Sequence, residues 1–133
     1  MKELQHINPE GVFDASEIYT HIVIPPPGRI VFLAGQWGGD VNGTLAGDGF
    51  GAQVDQAFAN VRAHLTAIGI GPPQVAKLTH YVVGLDAAKR AELHERVGAI
   101  WPGDRPASTL LGVARLARED MLYEVDVQAV LPD

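Results

Sequence analysis

The sequence predicts an α+β domain, a mixed β-sheet with two helices packed on one face. Three observations predict it. The order of elements reads strand, strand, short strand, helix, strand, helix, strand, strand. Residues 52–68 place Val54, Phe58, Val61, Leu65 and Ile68 at spacings of four, three, four and three, one apolar helical stripe. Two strand segments are uncharged on both faces: Ile30, Phe32 and Ala34 alternate with Val31 and Leu33, and Ser108, Leu110 and Gly112 with Thr109, Leu111 and Val113.

Each element has a local reason. Residues 19–24 (YTHIVI) read as a first strand, stopped by the PPPG of residues 25–28. Residues 30–35 (IVFLAG) form the second. The glycine-rich stretch after it carries Asn42-Gly43, a hairpin signal, with a short third strand at 44–46. This GQWGGDVNG stretch lacks the strand–GxGxxG–helix setting of a nucleotide loop. The first helix ends where Gly69 suits a C-terminal cap. A strand spans 75–85, Asp86 caps a second helix over 87–101, and Pro102 ends it, with Trp101 packing at its end. Strands at 108–116 and 121–131 complete the sheet.

Helices cover one face only, so strands apolar on both faces leave a large apolar patch. A second copy of the chain in a closed symmetric assembly is expected to cover it. The last strand, YEVDVQAV, puts Tyr123, Val125, Val127 and Ala129 on one face and Glu124, Asp126 and Gln128 on the other. Those acids are then expected at a subunit interface.

Composition narrows the function. The 133 residues suffice for one domain, taken as 1–133, and 47% hydrophobic content is that of a globular chain. Ten basic and sixteen acidic residues give −6, with no basic stripe, which argues against nucleic acid. Without cysteine there is no disulfide, thiolate nucleophile or Cys-based metal site. His6, His21, His64, His80 and His94 show no HxH or HExxH spacing, so no metal is expected. His80 is expected as a hydrogen-bonded strand histidine. The start, MKELQHINPEG, has no apolar h-region, and no run reaches membrane-spanning length; a cytoplasmic protein is expected.

Several stretches resemble the RidA (YjgF) family of reactive-intermediate deaminases. They are Tyr19, AGQ at Ala34 to Gln36, QAFANVRAHLTAIG with VAKLTHYVVGL, and RPASTLLGVARL with YEVDVQAV. The resemblance runs over residues 15–131. It implies a chorismate-mutase-like fold and a homotrimer whose sheets form a central barrel. It implies a cleft at each subunit interface that binds a small molecule. It also implies hydrolysis of enamines or imines with ammonia release and no cofactor.

Carried over by position, the cleft tyrosine is Tyr19, the strand-end glycine Gly35 beside Ala34, and the water-positioning acid Asp126, one methylene shorter than the family's glutamate. The family's carboxylate-binding arginine falls on Ser108, followed by Thr109 and Leu110. Glu92 falls near a cleft position on the second helix. Glu124 and Gln128 are expected to flank the cleft or line the barrel.

Ser108 is the departure. An arginine offers a charged bidentate fork, a serine one neutral hydroxyl. Its loss should weaken carboxylate binding roughly tenfold or more. Poor activity on 2-aminoacrylate-type substrates follows, and a neutral or cationic ligand is expected instead. Arg105 lies three residues away across Pro106, which holds the local backbone. No nucleophile elbow accompanies Ser108, so a triad is not expected. The readings are an imine hydrolase, a ligand-binding or regulatory protein without turnover, and an endoribonuclease-type translation inhibitor. The charge counts against the last.

Overall fold

A computed structural model describes residues 2–47 and 49–133. Its elements are β1 (Gln5–Ile7), β2 (Ile22–Ile24), β3 (Gly28–Trp37), α1 (Phe50–Ala67), a single 3-10 turn (Pro72–Gln74), β4 (Val75–Val83), α2 (Ala87–Ile100), β5 (Ala107–Val113) and β6 (Tyr123–Pro132). The main sheet runs β3-β6-β4-β5. β6 pairs antiparallel with β3 and β4, while β5 pairs parallel with β4. A parallel neighbour needs a crossover, and α2 supplies it. The result is the α+β mixed sheet the sequence predicts.

One expectation changes. Residues 19–24 do not join this sheet. Only Ile22–Ile24 is strand, and it pairs with β1 in a separate two-stranded sheet. Tyr19 and Thr20 precede it as a tie to β5: Thr20 N–H donates to the Pro106 carbonyl at 3.2 Å, and the Thr20 hydroxyl to the Arg105 carbonyl at 2.5 Å. The third strand reduces to a single bridge, Gly39 with Leu45. The Asp40 carboxylate organises that turn by accepting the amides of Asn42 and Thr44, and Gly43 takes φ +75°.

The helix ends follow their residues. At the end of α1 the Ile70 amide reaches back to the Leu65 carbonyl and Gly69 takes φ +78°, as a left-handed C-terminal cap requires. Asp86 accepts the Lys89 amide at 2.8 Å and starts α2. Trp101, buried at its end, donates to the Pro72 carbonyl at 2.9 Å.

The core lies between helices and sheet, built from Val54, Phe58, Val61 and Leu65 of α1, Leu93 and Val97 of α2, and Leu78, Val82, Tyr123, Val125 and Val127 of β4 and β6. Among the described residues no helix covers the opposite sheet face. There Ile30 is 68% and Phe32 70% exposed, as the two-sided apolar strands predict.

Candidate functional site

The open face carries an acid cluster built by β6 and its neighbours. Period-2 alternation puts Glu124 and Asp126 there, each half-buried. In register, Glu124 lies opposite Tyr81 and Asp126 opposite Thr79, which is itself opposite Thr109 of β5. The Tyr81 hydroxyl donates to Asp126 Oδ2 at 2.8 Å. Lys77 Nζ donates to Thr109 Oγ1 at 2.8 Å.

A β-bulge aims this cluster. Leu33 pairs with Val127 and Gln36 with Val125, so three steps on β3 oppose two on β6. The extra residue falls in Ala34-Gly35, opposite Asp126. A Cβ on Gly35 would overlap the Glu124 carboxylate, so only glycine lets that carboxylate lie against β3. Gln36 is turned to the helix side, where its Oε1 meets His64 Nε2 at 3.0 Å.

The electrostatics follow. Burial, then the Asp126 charge, raises the Glu124 pKa from its ordinary value. The Asp126 hydrogen bond raises Tyr81, with burial and the charges of Asp126 and Glu124 adding to it. Glu124 is thus biased toward holding its proton, and Asp126 accepts a hydrogen bond from a phenol that orients it. Beside them, sharing Thr79, runs a groove of about 550 Å³ between β2 and the sheet, with Ile22, Ile30, Lys77 and Gln128 on its walls.

The other expected residues stand elsewhere. Ser108 lies opposite Leu78 and Leu110 opposite His80, so both belong to the helix side. With Tyr19 they line a cavity of about 210 Å³ at the β5 edge, together with His80, Arg90 and His94. His80 is 3% exposed and its Nδ1 lies 2.6 Å from the Tyr123 hydroxyl. Burial holds the His80 pKa down to about 3, so the ring is neutral. Arg105 lies across α2, its guanidinium filling the space a Cβ on Gly98 would take. Glu92 is exposed on α2, outside both groups.

The structure therefore brings together Gly35, Asp126 and Thr109, with Ala34 in the bulge, on the open side, and Tyr19, Ser108 and Leu110 on the other. Sequence reasoning placed Glu124 only at the margin of the cleft. Gly35 was its signal, since a glycine in a strand interior marks a close approach. Tyr81 was legible only as an aromatic in a strand; its partner depends on register.

Comparison with known proteins bears on the family and the fold. The family model described as Endoribonuclease L-PSP matches residues 11–131. A Yersinia pestis protein of the Rid family, YyfB, of unknown function, superposes with a TM-score of 0.93 at 32% identity, over 98% of this chain and 100% of that one. RidA from an Antarctic Psychrobacter gives 0.71 at 27%, over 96% and 99%. A Mycobacterium tuberculosis member of the YjgF/YER057c/UK114 family gives 0.65 at 22%, over 96% and 99%, a likeness of fold. No curated protein matches the chain. Among the described residues no helix is long and apolar enough to cross a membrane. With residues 11–131 matched by the family model and the whole fold superposing on a Rid protein at 32% identity, the chain belongs to the RidA/YjgF (Endoribonuclease L-PSP) family.

Proposed function

We propose that the protein is a homotrimer that binds a small metabolite in clefts between subunits and hydrolyses a carbon–nitrogen double bond there, without a cofactor. The observation that carries the reading is the Glu124–Asp126–Tyr81 cluster on an uncovered, apolar-rimmed sheet face. Two carboxylates with different environments are what acid–base chemistry requires.

The assembly supports the chemistry. Ile30, Phe32 and Leu111 are apolar and exposed around the acids. Fully covering residues of this kind contributes about 1.5–3 kcal/mol each. In one chain, Tyr19 and Ser108 lie on the far side of the sheet from Asp126. A single cleft containing both groups needs two copies, one offering its β5 edge and the other its open face.

In that cleft Asp126, oriented by Tyr81, accepts a proton from water as the water oxygen bonds to the imine carbon. The π electrons move to nitrogen, which takes a proton from Glu124. Asp126 then returns its proton to the amine nitrogen while the Glu124 carboxylate takes the hydroxyl proton; the C–N bond breaks, the carbinolamine yields a carbonyl compound and ammonia, and both acids are restored. Loss of one acid–base group should reduce the rate roughly 10²–10⁴-fold.

The test is imine decay. Imines would be generated in situ by an amino-acid oxidase, with side chains from small to aromatic and cationic. Acceleration for one class, lost in Asp126→Asn and in Glu124→Gln, supports hydrolysis. No acceleration by an intact trimer sinks it. Ser108 in place of arginine favours a second reading, a ligand-binding protein without turnover, which saturable binding with no decay would establish. The nuclease reading carried by the family's name has no support in a face whose site charges are acidic; salt-sensitive RNA cleavage that survives repurification would restore it.

A further inference from the structure

The cavity on the helix side has a polarity opposite to that of the open face. Arg90, Leu93, His94 and Val97 recur along α2 at helical spacing and face β4 and β5 across about 210 Å³. Opposite them stand Tyr19, Ser108 and neutral His80. Among the described residues no carboxylate lines this cavity. In a chain of net charge −6 that is a concentration of donors.

The cations here are not spent on internal pairs. Among the described residues the ion pairs are His6–Asp104, Arg96–Asp55, Arg115–Glu119 and Arg118–Asp120. Arg90 and Arg105 belong to none of them. Arg105 lies over Gly98, one turn beyond His94, and both arginines act on His94: burial first, then Arg90 and Arg105, lower its pKa. A pocket edged by positive charge and furnished with a serine and a tyrosine has the composition that holds an anion.

We propose that this cavity binds a small oxyanion, a carboxylate or a phosphate, on the Arg90 guanidinium with Ser108 and Tyr19 as neutral partners, so that helix α2 supplies the cation strand β5 lacks. The inference rests on the reading that the cleft takes a small metabolite, and deepens it by naming its charge. It reverses the expectation drawn from Ser108 alone. The anionic end sits toward α2, so the substrate class differs in shape from one gripped at position 108.

Calorimetry would measure binding of acetate, short dicarboxylates and inorganic phosphate to the assembled protein and to Arg90→Gln, Arg90→Lys and Asp126→Asn. Arg90 is exposed, so its variants leave the core intact. We expect saturable binding of one anion class, weakened roughly tenfold or more in Arg90→Gln, partly restored in Arg90→Lys and no weaker in Asp126→Asn, which removes a negative charge from the same cleft. The stronger of the carboxylate and phosphate arms identifies the ligand chemistry. Bound anion should also raise the pKa of the His94 imidazole, read by NMR. Absence of saturable binding in every arm, or equal affinity in Arg90→Gln, overturns the proposal. Anion binding without hydrolysis of any imine would sink the catalytic reading and leave this one standing.

Discussion

His80 makes acid stability a direct test of the packed core. It is 3% exposed, hydrogen-bonded to the fully buried Tyr123, and its pKa is lowered from 6.5 to about 3 by burial, then by His94 and Lys77. The depressed value fixes the sign. The neutral ring stabilises the fold fully above pH 6.5. As pH falls below 6.5 the unfolded chain takes up a proton that the folded chain refuses, and stability drops. The rate is at most about 1.4 kcal/mol per pH unit, so about 3 kcal/mol is lost by pH 4.5 and about 5 in the limit. Urea unfolding of the wild type and His80→Gln, at fixed protein concentration from pH 7.5 to 4.5, measures it. Carboxylates titrate alike in both, so the difference isolates the histidine. The two stability curves should converge with falling pH. Parallel curves, or a His80 imidazole that titrates above pH 5 by NMR, would refute the reasoning.

Other changes probe the open face. Gly35→Ala should displace the Glu124 carboxylate and lower imine turnover while leaving the helix-side cavity unchanged; an unaltered rate would show that the close approach is incidental. Glu124 has a raised pKa, so its charge is a cost that grows as pH rises through and above the ordinary carboxylate range. Glu124→Gln should accordingly be more stable than wild type at pH 7 and no more stable at pH 4, by urea midpoint. Phe32→Asp removes an exposed aromatic and adds a charge to the proposed contact. Light scattering should then show monomer, with weakening of about 2 kcal/mol or more per protomer; a persistent trimer would place the interface elsewhere.

Much of the architecture was legible because periodicity is physical. The α1 stripe from Val54 to Leu65, the Asp86 cap, the Gly69 cap and the alternation of β6 each follow from one local rule, and each appears in the structure; Ile68, the stripe's expected end, lies past the helix and is exposed. What was not legible depends on partners distant in sequence. Residues 19–24 have strand composition, but Pro25 to Pro27 and the Thr20 tie hold them off the main sheet, and the brief β1 that pairs with them is only three residues. The AGQ bulge needs the β6 register before it can be seen. The assignment of Ser108 to the helix side needs the β4–β5 register, which no single-strand pattern contains. Arg90 and His94 read as ordinary helix residues until the crossover lays α2 against the β5 edge.

That registry has a consequence for how a substrate would be held. Adjacent residues of a strand point to opposite faces, so Ser108 and Thr109 cannot serve one ligand within one subunit. Ser108 faces Arg90 and His94, while Thr109 faces Lys77 and the Asp126 side. A monomer therefore has a donor-rich cavity and an acid cluster separated by its own sheet. Neither alone can grip an anion and protonate a nitrogen. A second copy, seated with its open face on the β5 edge as proposed, would remove the separation and cover Ile30 and Phe32 in the same step. Assembly and catalysis then share one requirement, which ties Phe32→Asp to Asp126→Asn: both should abolish turnover, but only Phe32→Asp should do so by dissolving the cleft. Both lesions lie on the open face, so complementation needs a partner lesion on the other wall. Mixing Asp126→Asn with Arg90→Gln lets a mixed trimer place an intact open face against an intact β5 edge, so partial recovery of imine hydrolysis is expected, and no recovery would mean that one subunit carries the whole site.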